Sequence, residues 1–92
     1  MEHNNEYNRY ITVAEVRGKL QSSIIELACS STTGSGRTPN TRLYLYFEPT
    51  DLRKPFKVVL YKGGAAPEVM YHGNIEENAV AEYNEQFEKH FT

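Results

Sequence analysis

Residues 41–48, TRLYLYFE, and residues 56–62, FKVVLYK, carry the pattern that decides the fold. In both stretches the side chains alternate with a period of two, which is typical of β-strands with one buried face. The turn residues Pro49, Thr50 and Asp51 end the first stretch. We predict two strands whose buried face consists of Leu43, Leu45, Phe47, Phe56, Val58 and Leu60.

A third, shorter strand is predicted for residues 68–72, EVMYH, after a turn at Gly63 and Gly64. Consecutive strands that are joined by short turns are typical of an antiparallel meander. The buried face of such a sheet needs cover, and the sequence has a helical pattern before the strands and another one after them.

The first helical pattern begins at Thr12, which forms a capping box with Glu15. Apolar residues then recur every three or four positions, and we predict a helix over residues 13–29. Gly18 lies within it, where the missing side chain would let another element pack closely. The second pattern predicts a helix over residues 75–90, with a stripe formed by Ile75, Ala79, Val80, Tyr83, Phe87 and Phe91.

The predicted order is α-β-β-β-α, which belongs to the α+β class. It gives a three-stranded antiparallel sheet with two helices packed on one face. A chain of 92 residues has room for one core. We therefore predict a single domain over residues 12–92 and a polar N-terminal arm over residues 1–11.

This element order resembles that of the double-stranded RNA-binding domain. The resemblance covers residues 12–90 and concerns the order of the elements only. In that family the last helix begins with lysines that contact phosphates. Here the matching positions include Glu76 and Glu77, which would repel phosphates. The resemblance therefore implies the topology, and it does not imply RNA binding.

The composition of the chain argues against a membrane-spanning, secreted or disulfide-bonded protein. Apolar residues make up 39% and charged residues 24% of the chain, and the apolar stretches are too short to span a membrane. The polar N-terminus has no apolar segment of the kind found in signal peptides. A single cysteine, Cys29, excludes an intramolecular disulfide. We expect a soluble protein in the reducing cytoplasm.

The residues that commonly carry catalysis form no recognised motif in this sequence. Cys29 lies on the apolar stripe of the first predicted helix, where a buried and unreactive thiol is expected. The histidines His3, His72 and His90 are far apart in sequence and lack the spacing of a metal site. We therefore expect no enzyme activity, no metal and no other cofactor.

Tyrosine is the residue type that most suggests a binding surface. The chain has seven Tyr against four Phe and no Trp. Tyrosine offers a rigid contact area with a polar end, although cross-strand pairing on a solvated sheet explains such residues equally well. The predicted partner-binding set is Arg37, Arg42, Tyr44, Tyr46, Lys57 and Tyr61, with the loop over residues 31–40 beside it.

Basic and acidic side chains are concentrated in different parts of the chain. Residues 37–62 have six basic and two acidic side chains, a net charge of +4, and residues 63–92 have one basic and six acidic, a net charge of −5. A basic sheet and an acidic helix that offset each other within one fold explain this division. An acidic helix that docks into a basic groove of a target protein is the alternative.

The function that we predict is a non-enzymatic protein-binding module, an accessory protein or an inhibitor. A phage or mobile-element inhibitor of a host nucleic-acid enzyme is one example. The alternative is a nucleic-acid-binding domain that uses the basic residues 37–62, which the net charge of −2 disfavours. Either edge of the sheet could also pair with a second copy, so a homo-oligomer stays open.

Overall fold

Two helices and four strands make up the part of the chain that the structure describes. The computed structural model describes residues 8–22, 25–32 and 40–91. In chain order the elements are α1 (Val13–Gln21), β1 (Glu26–Thr32), β2 (Thr41–Phe47), β3 (Phe56–Lys62), β4 (Glu68–Gly73) and α2 (Glu76–Phe91). None of the helices in these residues is long and apolar enough to cross a membrane.

The first predicted helix is wrong in its second half. Helix α1 ends at Gln21, and β1 occupies Glu26–Thr32. In β1 the consecutive residues 27–30 are all buried, so this strand is covered on both faces. Such a strand lacks the polar and apolar alternation that marks a half-exposed strand, and its apolar run also fits a helical spacing.

The prediction of three strands is therefore also wrong. The described residues form one antiparallel sheet with the order β1-β2-β3-β4, in which each strand pairs with the next one in sequence. The α+β class and the antiparallel sheet with two helices are confirmed. The order is α-β-β-β-β-α, which has one strand more than the order α-β-β-β-α. The resemblance to the double-stranded RNA-binding domain is therefore not confirmed.

Both helices pack on the same face of the sheet, which we call the inner face. The predicted strands β2 and β3 contribute Leu43, Leu45, Phe56, Val58 and Leu60, all buried. Helix α2 crosses the sheet, and α1 lies beside it against β1. The core cluster is completed by Ile11, Val16, Leu27, Ala28, Ala79, Val80, Tyr83 and Phe87.

The capping box that the sequence predicts is confirmed. The Thr12 hydroxyl accepts from the Glu15 amide at 3.2 Å, and the Glu15 carboxylate accepts from the Thr12 amide at 2.9 Å. The prediction for Gly18 is wrong, because nothing lies within 4 Å of the position that a β-carbon would take there. Gly18 faces solvent and makes no close approach to another element.

The last residues before α1 are attached to the domain. The Asn84 side chain accepts from the Ile11 amide at 2.8 Å and donates to the Ile11 carbonyl at 3.0 Å. The Asn8 side chain accepts from the Ser31 amide at 2.9 Å, at the outer edge of β1. Residues 8–11 thus contact both β1 and α2, whereas residues 1–7 of the predicted arm lie outside the described residues.

Candidate functional site

The candidate site is the outer face of the sheet, opposite the helices. Strand β2 places Arg42, Tyr44 and Tyr46 there, because they alternate with the buried Leu43 and Leu45. The antiparallel register sets Arg42 opposite Tyr61, Tyr44 opposite Val59, and Tyr46 opposite Lys57. We call this surface the tyrosine face; it consists of Arg42, Tyr44, Tyr46, Lys57, Val59 and Tyr61.

Two apolar side chains, Cys29 and Val59, are buried on the outer face of the sheet, although both described helices lie on its inner face. Cys29 is 6% exposed and Val59 is 5% exposed. Both pair with Tyr44 in the register, one on each side of it. Tyr44 therefore lies between them on the outer face, where its ring is the large side chain next to both in the register. Cys29 is a buried free thiol, as predicted, but it lies on a strand and not on a helix.

The tyrosine rings pack against one another. The rings of Tyr44 and Tyr46 are stacked, with centroids 5.2 Å apart and an angle of 12° between their planes. The rings of Tyr44 and Tyr61 meet edge to face at 5.5 Å and 90°. These are the two arrangements that aromatic pairs prefer, and each adds roughly 1 kcal/mol beyond the burial of area. The three rings therefore form a pre-ordered surface.

The environment of Tyr44 and Tyr46 raises the pKa of both hydroxyls. Burial raises the pKa of Tyr46, and the charges of Tyr61, Tyr44 and Glu26 raise it further. Burial also raises the pKa of Tyr44, although a hydrogen bond from Arg42 acts in the opposite direction. Both phenols are thus neutral groups, and a hydrogen bond joins Tyr46 to Tyr61.

Two shallow grooves flank the pair formed by Tyr46 and Tyr61. The first, which we call the Arg42 groove, has a volume of about 350 Å³ and is lined by Asn40, Arg42, Tyr44, Tyr46, Tyr61 and Gly63. The second, which we call the Lys57 groove, has a volume of about 340 Å³ and is lined by Ile25, Tyr46, Glu48, Lys57 and Tyr61.

Gly63 opens one end of the Arg42 groove. Its φ of 49° is in the left-handed region, which glycine adopts without strain, and its amide donates to the Asn40 carbonyl at 2.6 Å. This hydrogen bond joins the residue before β2 to the residue after β3. The groove therefore has a fixed backbone border at this end.

Exposed apolar side chains border the tyrosine face on two sides. Val69 of the edge strand β4 pairs with Val59 and is 56% exposed. Ile25, which precedes β1 and lines the Lys57 groove, is 53% exposed. Single exposed apolar residues are common, but here they continue an apolar surface that the tyrosine rings already form.

The structure brings together five of the six predicted site residues: Arg42, Tyr44, Tyr46, Lys57 and Tyr61. Arg37 and residues 33–39 of the predicted neighbouring loop lie outside the described residues. The sequence analysis missed Ile25, Glu26 and Cys29, because it placed them in a helix. The break at Ser22 and Ser23, followed by two β-branched isoleucines, is the signal that could have shown a new strand.

The histidines do not form a metal centre in the described part of the chain. Within residues 8–22, 25–32 and 40–91, no three His, Cys, Asp or Glu side chains come together as metal ligands would. His72 lies 3.3 Å from the Asp51 carboxylate, and this pair is exposed. The expectation of a protein without a metal or another cofactor stays a prediction.

Comparison of the chain with protein-family models, with curated proteins and with solved structures found no match.

Proposed function

We propose that the protein is a non-enzymatic protein-binding module that contacts its partner through the tyrosine face. The observation that carries this proposal is a sheet face on which three mutually packed tyrosines lie beside the buried Cys29 and Val59. Such a surface loses little side-chain entropy on binding, because the rings are already ordered. Tyrosine and arginine are also the residue types that are enriched at the energetic centres of protein interfaces.

The charges near the tyrosine face favour a protein over a nucleic acid. Glu26 pairs with Tyr46 in the register of β1 and β2, and Glu48 lines the Lys57 groove. A phosphate backbone that follows this face would meet both carboxylates. A protein partner can place a neutral or basic group beside each of them.

The biological setting belongs to the same proposal. A small binding module of this kind acts as an accessory protein or an inhibitor, for example a phage or mobile-element inhibitor of a host nucleic-acid enzyme. We propose that it works in the cytoplasm, since its single cysteine is a buried thiol. This part of the proposal rests on the size and composition of the chain, and not on the geometry of the site.

Site-specific photo-crosslinking in a lysate tests whether the tyrosine face contacts a partner protein. Benzoylphenylalanine replaces either Tyr61, on the tyrosine face, or Ala81, an exposed residue on α2. We expect a defined protein adduct from position 61, unchanged by nuclease, and no such adduct from position 81. Equal adducts from both positions would contradict the proposal, because they would show contact without preference for the face.

A nucleic-acid-binding function is the second candidate, and one observation favours it. The stacked rings of Tyr44 and Tyr46 lie beside Arg42, and bases of single strands stack on such combinations. Salt dependence separates the two candidates. The affinity of a nucleic acid for the basic residues 37–62 would fall steeply with salt concentration, whereas a contact centred on tyrosine would change little.

A further inference from the structure

We infer that the Arg42 groove receives the side-chain carboxylate of an Asp or Glu residue of the partner protein. This inference rests on the proposed function and adds the chemistry of the group that the face recognises. The inference concerns the Arg42 groove only, and the side chains of the Lys57 groove are compared with those of the Arg42 groove.

The first support is the character of the groove's polar side chains. Arg42, Asn40 and the three tyrosines each bear at least one N–H or O–H donor. Among the described residues no carboxylate lines this groove, whereas Glu48 lines the Lys57 groove. The two grooves differ in charge although they share Tyr46 and Tyr61. An anionic group is therefore favoured in the Arg42 groove and disfavoured beside Glu48.

The second support is that the donors are held in position. Arg42 donates a hydrogen bond to Tyr44, which holds the guanidinium beside the tyrosine rings. Arg42 lies opposite Tyr61 in the register, and Tyr61 meets Tyr44 edge to face. The planar guanidinium is suited to a carboxylate, which it can bind through two parallel hydrogen bonds. The ring contacts of Tyr44 with Tyr46 and Tyr61 hold the phenol groups beside this guanidinium.

The third support is the size of the groove. A volume of about 350 Å³ is at the lower end of the range for small-molecule sites. It is large enough for the end of one acidic side chain. The nearby carboxylate of Glu26, which raises the pKa of both Tyr44 and Tyr46, also opposes a run of phosphates across β2. A single carboxylate at Arg42 carries one charge, so Glu26 repels it less than it repels a run of phosphates.

The direct test uses two small probes and the full chain. Glutamate blocked as its N-acetyl amide carries only the side-chain charge, and blocked glutamine is its neutral analogue. In ¹H–¹⁵N NMR titrations we expect blocked glutamate to shift the amide signals of Asn40, Arg42, Tyr61 and Gly63. Blocked glutamine should leave them in place. Equal shifts with both probes, or no shifts with either, would overturn the inference.

Two charge-neutralising variants supply the matched control. Arg42→Gln and Arg53→Gln each remove one guanidinium, but Arg53 is exposed in the loop between β2 and β3 and lines neither groove. We expect Arg42→Gln to weaken the binding of blocked glutamate roughly tenfold, as is typical for the loss of a hydrogen bond to a charged group. Arg53→Gln should have little effect. Equal weakening by both variants would mean a general charge effect and would overturn the inference.

Further probes and the crosslinking experiment separate this inference from the proposed function. If inorganic phosphate or hexathymidylate shifts the same four signals at lower concentration than blocked glutamate, the groove is a phosphate site and the inference is wrong. If the protein adduct from position 61 forms as well with Arg42→Gln as with the natural chain, the inference is wrong but the proposed function stands. Loss of the adduct with Arg42→Gln, but not with Arg53→Gln, supports both.

Discussion

At the scale of single residues, a buried hydrogen bond joins the two sides of the core. Tyr83 of α2 is fully buried, and its hydroxyl lies 2.6 Å from the Ser30 hydroxyl on β1. The Ser30 oxygen also accepts from the Asn8 amide at 3.1 Å. A buried polar group has to be satisfied within the protein, so this small network fixes the position of α2 relative to β1.

A double-mutant cycle tests this link. We expect Tyr83→Phe and Ser30→Ala each to lower the free energy of unfolding by about 1–2 kcal/mol, because each removes a partner from a buried group. The double variant should lose less than the sum, since both hydroxyls are then absent. Urea denaturation followed by circular dichroism gives all four values. Strict additivity would show that the two hydroxyls do not depend on each other.

Residue-level patterns also explain how far the site could be predicted from the sequence. The alternation in residues 41–47 places Arg42, Tyr44 and Tyr46 on one face, and the alternation is a local property. The burial of Cys29 beside Tyr44 is not local, because it depends on the pairing of β1 with β2. The grooves likewise depend on Asn40 and Gly63, which come together only when β2 and β3 pair.

At the scale of elements, the success of sequence patterns depends on how many faces an element buries. Helix α2 buries one stripe, and strand β3 buries its inner face and only Val59 on its outer face; both were predicted to within about a residue at each end. Strand β1 is buried on both faces by Leu27, Ala28, Cys29 and Ser30, so its sequence carries no period of two. The capping box predicted the correct start of helix α1. The apolar residues that follow it also fit a helical spacing, so the prediction placed the end of the helix too late.

The start of helix α1 has a pH dependence that can be measured. The guanidinium of Arg9, 2.7 Å from the Glu15 carboxylate, and to a smaller extent the Thr12 amide hold the pKa of Glu15 below its usual value of 4.5. A carboxyl group whose pKa is lower in the folded state stabilises the fold above its unfolded pKa. This contribution is lost as the pH falls through the folded-state value. Acidification below about 4.5 should therefore destabilise the protein, in part through Glu15.

The variant Glu15→Gln isolates this contribution. Glutamine retains the acceptor that a capping box needs but does not titrate. We expect the unfolding free energy of Glu15→Gln to fall less steeply between pH 5 and pH 3 than that of the natural chain, as measured by chemical denaturation at each pH. The same slope in both proteins would show that the interaction between Arg9 and Glu15 does not contribute to stability.

At the scale of the whole molecule, basic side chains from the middle of the sequence and the acidic last helix lie on opposite faces of the sheet. The basic side chains Arg42 and Lys57 lie on the outer face of the sheet, and the acidic helix α2 lies on the inner one. Arg17 of α1 bridges to Glu76 at 2.8 Å and to Glu77 at 3.8 Å, so part of the acidic charge is offset by the other helix. On our proposal, the remaining asymmetry would orient an acidic surface of a partner towards the tyrosine face.

The central claim is that the tyrosine face binds a protein, and two matched tyrosine variants test it most directly. Tyr61→Ala removes a ring from the tyrosine face. Tyr10→Ala removes a half-exposed ring that packs edge to face on Phe87 of α2, on the opposite side of the molecule. Circular dichroism establishes that both variants remain folded. The measurement is the amount of each protein captured from a nuclease-treated lysate by the natural chain and by each variant, quantified by mass spectrometry.

We expect one or more proteins to be captured by the natural chain and by Tyr10→Ala, and to be reduced roughly tenfold or more with Tyr61→Ala, as for an energetic centre of an interface. Equal capture by Tyr61→Ala and the natural chain would contradict the account. So would a set of captured proteins that disappears when nuclease is added, because the contact would then run through nucleic acid.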